Sequence, residues 1–253
     1  MCTLLFAVDA HPRYRLVVAA NRDEFYARST AAAGWWDDAP DVLAGRDLQA
    51  GGTWLGVTRG GRWAALTNIR DPKDVRVGAP SRGALVAEFL RGDAPPADYL
   101  RAIEAGRYAG FNLVVGDAEA TWYLSRRSDA PQRLAPGVYG VSNGLLDSRW
   151  PKVERGKASL RALLARPEID ADALLSLLAD TSPAADAELP DTGVGLALER
   201  ALSPLFVEMP GYGTRSSTAL VIEAGGAALL RERSVRPGAQ PDVVEVRFVA
   251  RAR

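Results

Sequence analysis

A layered α+β domain, with helices covering antiparallel sheets, is the fold class this sequence predicts. Three observations carry the prediction: short apolar runs joined by turn signals gather toward both ends, helical periodicity is confined to the middle, and no linker or internal repeat divides the 253 residues. That length suits one large domain with a sizeable core, or at most two small ones.

Residues 4–8 and 16–20 are apolar throughout and flank Asp9-Ala10-His11-Pro12-Arg13-Tyr14, which predicts an antiparallel hairpin. Strands apolar on both faces need cover on each side. A long irregular stretch carrying Trp35-Trp36-Asp37-Asp38 is expected next. Residues 53–58 and 62–67, joined by Arg59-Gly60-Gly61, predict a second hairpin. Pro80-Ser81-Arg82-Gly83 leads into a helix over 84–90, and a second helix over 95–105 starts with proline in its first turn. Residues 111–115 and 121–124 form a further hairpin around Gly116-Asp117, and 138–141 reads as a strand. Helical periodicity returns over 152–164 and 171–178. Residues 182–195, rich in Pro, Ala and Asp, predict an exposed loop. Strands over 205–207, 217–222, 227–231 and 243–249 close the chain, with Gly225-Gly226 as a tight turn.

Composition narrows the function classes. Lys and Arg number 31, Asp and Glu also 31, so the chain lacks the basic excess of a broad nucleic-acid or polyanionic-membrane surface. A single cysteine cannot form an internal disulfide. No apolar run reaches the ~18 residues of a membrane span. The N-terminus has no basic segment before its first apolar run, so that run reads as a strand and not a signal peptide. A soluble cytoplasmic protein is expected.

Cys2 sits directly behind the start residue. Methionine removal, favoured when the second residue is small, would put a thiol and a free α-amine on one residue. An α-amine titrates near 7.7–8.0 and can take the thiol proton directly or through a water, so nucleophile and base become one residue. Such a site needs no histidine, and His11 is the only one present. On position alone the residue reads first as a small buried hydrophobe at a strand edge, and its neighbours have to carry the functional reading.

The hairpin brings Asn21-Arg22-Asp23-Glu24 back beside Cys2. A carboxylate there can hold a terminal ammonium by a charge-assisted hydrogen bond; a solvated strand end fits the same residue types. Asn68 after Thr67, and Asn143 after Ser142, stand at strand ends where an amide can face a developing negative charge or simply serve a turn. Arg215 in Tyr212-Gly213-Thr214-Arg215-Ser216-Ser217 is either a substrate-carboxylate ligand or an ordinary exposed arginine.

The stretches Met1-Cys2, AANRDEFYAR, LAGRDLQAGGTWLGV, ALTNIRDP, YAGFNLVVGD, GVYGVSNGLLDSRWPKV and YGTRSST resemble the NRDE family, also called the transport and Golgi organisation family. They run from residue 1 to about 222. That family is distantly similar to the N-terminal-nucleophile hydrolases of the choloylglycine hydrolase and penicillin acylase type. The resemblance implies a single domain over 1–253 with two antiparallel sheets between helical layers, an αββα sandwich. It implies Cys2 as nucleophile and base, Asp23 as the group that positions the amine, Asn68 and Asn143 at the oxyanion hole, and Arg215 beside the nucleophile, with Asn21 and Arg22 in support. The hydrolases' arginine before the aspartate falls on Ala20 here, and Arg22 is offset from it.

The function this implies is an N-terminal-cysteine amidohydrolase or acyltransferase acting on a C–N bond of a small molecule, with no cofactor. The alternative implied by the family is a carrier that binds haem, an acyl-CoA or a lipid without turnover, with Cys2 or His11 as the haem ligand.

Overall fold

The computed structural model describes residues 2–74, 76–236 and 238–251; Met1 lies outside them. The chain opens with the hairpin β1 (Cys2–Val8) and β2 (Tyr14–Phe25), followed by β3 (Thr30–Trp36), β4 (Ala39–Asp47), β5 (Leu55–Thr58) and β6 (Trp63–Asn68). Helices α1 (Gly83–Arg91) and α2 (Pro96–Ala102) precede β7 (Phe111–Gly116), β8 (Thr121–Ser125), β9 (Gln132–Leu134) and β10 (Gly137–Val141). Then come α3 (Pro151–Leu164), α4 (Ala171–Leu177) and α5 (Leu196–Ala201). Strands β11 (Glu208–Met209), β12 (Tyr212–Glu223), β13 (Ala227–Ser234) and β14 (Asp242–Val249) finish the fold.

These strands form two antiparallel sheets. The first has the order β10-β1-β2-β12-β13-β14, with β11 added on β12; the second runs β3 to β9 in sequence order. Three apolar cores separate four layers. Leu4, Phe6, Val8, Leu16 and Val18 meet Leu55, Val57, Trp63 and Val114 between the sheets. Leu5, Ala7, Val17 and Ala19 point the other way, onto Leu160 and Leu163 of α3 and Leu174 and Leu175 of α4. Leu85, Val86, Phe89 and Leu100 cover the outer face of the second sheet. The αββα sandwich is thus present, and the apolar run of β1 is divided between two cores by its period of two.

Two sequence expectations need correction. The stretch expected to be irregular is the β3–β4 ladder; register shifts after Ala31 and Trp35 break the alternation by which a strand is read. Its tryptophans are stacked by arginines, Arg59 over Trp35 at 3.8 Å and Arg46 over Trp36 at 4.5 Å. Residues 205–207 are not a strand: Leu205 and Val207 are buried in a loop, and β11 begins only at Glu208. The exposed 182–195 segment runs into the short α5, whose buried Glu199 ties it down.

One close approach sets where α1 begins. The N–H of Thr53 donates to the carbonyl of Gly83 at 3.2 Å, which docks the start of the helix on the Gly52-Thr53 segment. A Cβ on Gly52 would stand 2.5 Å from the Gly83 carbonyl carbon, so only glycine lets these backbones touch. Gly52→Val is expected to cost about 1–3 kcal/mol by overpacking, read as a lower urea midpoint with an unchanged slope.

Candidate active site around Cys2

Antiparallel register builds the site. Cys2 pairs with Arg22, and Thr3 with Asn21. The alternation that turns Leu4 and Val18 inward also puts Cys2, Arg22 and Glu24 on the inter-sheet side, and Asn21 and Asp23 on the helix side. At this edge of the sandwich β1 and α1 begin, and β2, β4 and β6 end. A cleft of about 140 Å³ opens among those ends, lined by Cys2, Arg22, Asp23, Glu24, Asn68 and Arg82 together with Arg28, Asp47, Thr53, Trp54 and the start of α1.

Burial pushes the Cys2 thiol above its ordinary value; Asp23 and Glu24 add to the rise and Arg22 opposes it. The resting sulfur is therefore a thiol and needs a base to become a nucleophile. Asp23 is also buried, and burial raises its carboxyl, with the Lys152 ammonium and the Thr214 hydroxyl pulling the other way. Its Oδ1 accepts from Thr214 Oγ1 at 2.8 Å, and the Tyr212 hydroxyl donates to its main-chain oxygen at 3.2 Å. Lys152, in the first turn of α3, donates Nζ to the Leu202 carbonyl at 3.0 Å. Burial lowers it to about 8. Arg22 is flattened over Trp54 at 4.3 Å and donates to Thr30 Oγ1 at 3.0 Å.

Asn68 and Asn143 meet, but in different roles. Asn143 spends its amide N–H on the Asn68 carbonyl at 2.8 Å, while its Oδ1 accepts from Ser142 Oγ at 3.3 Å. Among the described residues none accepts from the Asn68 side-chain amide, and Asn68 lines the cleft. Ser142 Oγ in turn donates to the Cys2 carbonyl at 2.9 Å. Behind Asn143 stands a buried ion pair: Arg70 donates one nitrogen to Glu199 and another to Asn143 Oδ1 at 3.5 Å. The second Glu199 oxygen accepts both Thr192 N and Thr192 Oγ1. A continuous polar chain therefore runs from α5 to the main chain of Cys2.

Other expected residues lie elsewhere. Arg215 does not line the cleft: it is the extra residue of a bulge between the pairs Thr214–Asp23 and Ser216–Arg22. Its Nη1 caps the carbonyls of Phe25, Tyr26 and Arg28 after β2. Asn21 is a helix-side anchor, donating to Leu178 and Leu205 carbonyls at 2.9 Å each and accepting from Ser217. His11 follows the far end of β1, a strand of seven residues and so roughly 20 Å long. Its Nδ1 accepts from Arg13 N and its Nε2 pairs with the Arg166 carbonyl, so both ring nitrogens are engaged. Of the two haem-ligand candidates only Cys2 faces the cleft. Residue types alone gave no reason to single out Arg82, Arg28, Asp47, Trp54, Arg70, Lys152 or Glu199. The stretches LAGRDLQAGGTWLGV and ALTNIRDP held the signal for Asp47, Trp54 and Arg70.

Two stability measurements check these placements. Glu199→Ala leaves the Arg70 guanidinium buried without its carboxylate, an expected loss of about 3–5 kcal/mol in urea unfolding. For Lys152 the folded value near 8 lies below the unfolded value of about 10.4, so between them the unfolded chain binds more protons and stability climbs with pH. Lys152→Met is expected to remove that climb, seen by comparing unfolding midpoints of the two proteins from pH 7.5 to 10.

Known proteins share both the architecture and the sequence. A conjugated bile acid hydrolase from Clostridium perfringens, solved as its C2A mutant, matches 97% of this chain and 92% of its own with a TM-score of 0.55 at 9% identity. The N-acylethanolamine-hydrolyzing acid amidase ortholog of Caenorhabditis elegans matches 87% of this chain and 92% of its own at 0.52 and 13%. The fold is that of the N-terminal-nucleophile hydrolases. In sequence, the Transport and Golgi organization protein 2 homologs of Bos taurus and Homo sapiens are 38% and 36% identical over 93% of each chain. The Drosophila melanogaster protein of that name is 30% identical over 88%. The family model for Transport and Golgi organisation 2 matches residues 1–237, and this chain belongs to that family.

Proposed function

We propose that this protein is an N-terminal-cysteine amidohydrolase or acyltransferase acting on a C–N bond of a small molecule. One observation carries the reading: Cys2, the buried Asp23 and Asn68, whose side-chain amide has no acceptor among the described residues, all border a single cleft. The fold relatives named for bile acid and N-acylethanolamine hydrolysis support it.

The chemistry starts with loss of Met1, which frees the Cys2 α-amine. That amine takes the thiol proton as sulfur attacks the substrate carbonyl, and Asp23 holds the resulting ammonium. The carbonyl electrons move to oxygen, where the Asn68 N–H groups receive the charge. Collapse of the adduct breaks the C–N bond, and the ammonium returns its proton to the departing amine. Water then attacks the thioester, giving its proton to the same α-amine, and the thiol is restored as the acid leaves. An amine in place of water turns hydrolysis into acyl transfer. A raised thiol fits this order of events, because no thiolate stands ready before substrate arrives.

Mass spectrometry of the purified protein is expected to show the chain starting at Cys2. An intact Met1 in protein that turns over amides would overturn the mechanism. Against a panel of small N-acyl amides, Cys2→Ala is expected to abolish turnover. Asp23→Asn is expected to lower kcat by up to the roughly 10²–10⁴-fold that a positioned base is worth, because the α-amine base loses the carboxylate that holds its ammonium.

A further inference from the structure

We propose that the cleft recognises an anionic group of the substrate, a carboxylate or a phosphate carried within a few bonds of the scissile amide, with Arg82 as its cation. This rests on the reading of Cys2 as the reacting residue and adds the substrate class to it.

The inference comes from the charges in the cleft wall. Three arginines line it. Arg28 is committed to Asp47, at 2.8 Å through Nε and 2.7 Å through Nη2, and Asp47 also accepts from Gln49 N and Ala50 N. Arg22 lies on Trp54, donates to Thr30 and stands 3.9 Å from both Glu24 and Asp47. Arg82 differs. Among the described residues its one side-chain hydrogen bond runs from Nη1 to the Gly110 carbonyl at 2.9 Å, and no carboxylate comes within 4.0 Å of it. The nearby Asp74 is taken by Arg76 Nε at 2.9 Å and by the Gly110 N–H.

Arg82 is nevertheless half-buried, and burial lowers its pKa while Cys2 and Glu24 are the leading charges that support it. A guanidinium withdrawn from water without a counter-ion is unfavourable, and an incoming anion removes that cost. Its remaining N–H groups suit two oxygens side by side, as a carboxylate or phosphate presents them. The surroundings leave room for one. Gly83 has no side chain, the first turn of α1 carries no acidic residue, and no side chain caps its N-terminus. The neighbouring positive end of the helix adds to the attraction. A cleft of about 140 Å³ is well below the roughly 300–1,000 Å³ that encloses a drug-sized ligand. It holds the reacting amide and a compact polar group, and leaves the rest of the substrate outside.

Binding measured on the full chain with Cys2→Ala separates this from turnover, since alanine is also small and leaves Met1 processing alike. Calorimetry at low and at physiological salt would compare N-decanoylglycine, the phosphate monoester of N-decanoylethanolamine, and neutral N-decanoylethanolamine. At least one charged amide is expected to bind 10-fold or more tightly than the neutral one, and which of the two does so identifies carboxylate or phosphate. Arg82→Gln is expected to erase the preference and Arg82→Lys to restore part of it. Equal binding of all three, no binding of any, or a preference that survives Arg82→Gln would overturn the proposal. Charge preference in a protein without turnover would leave the subsite standing and remove the hydrolase reading instead.

Discussion

Everything at the site depends on the register between the first two strands. A slip of β1 by one residue would send the Cys2 thiol to the helix side, and a slip of β2 would send Asp23 to the inter-sheet side. Both faces of β1 are buried, Leu4 and Phe6 in one core and Leu5 and Ala7 in another, so a slip would exchange two sets of packed side chains at once. The register is therefore held by apolar packing along the strands and read out by polar residues at their ends. The position of Cys2 is a consequence of core packing far from it.

The polar residues oppose that stability. Asp23, Asn143, Lys152, Arg70 and Glu199 are all buried, and each carries a desolvation cost that its partners offset. Their connections explain why the cost is tolerated. Ser142 fixes the Cys2 carbonyl, Asn143 fixes the Asn68 carbonyl, and Arg70 with Glu199 fixes Asn143. These linked hydrogen bonds polarise one another and hold the main chain around Cys2 and Asn68 in place. Glycines serve the same end: Gly52 and Gly83 let α1 press onto the second sheet so that its first turn borders the cleft.

Electrostatically the cleft is divided. Two of its arginines stand beside carboxylates, and the third, Arg82, is held by the Gly110 carbonyl with no carboxylate within 4.0 Å among the described residues. The thiol is raised and the nearby lysine is lowered, both by burial. The same withdrawal from water thus favours the uncharged form of both groups.

Local alternation and a short turn made the hairpins, the four helices with clear periodicity and the company Cys2 keeps with Asn21, Arg22 and Asp23 legible in the sequence. Motifs spread along the chain made the family legible as well. The remainder came from tertiary structure. The bulge at Arg215 turns that side chain onto the carbonyls after β2, and a bulge leaves no mark on residue type. Whether a polar residue lines a cleft or braces it depends on which strand ends meet. That is why Asn68 faces the opening while Asn143 stands behind it, and why Arg82 and Glu199, far from Cys2 in sequence, belong to the same site. Pairing between distant strands fixes those neighbours, and no short stretch of sequence contains both members of such a pair.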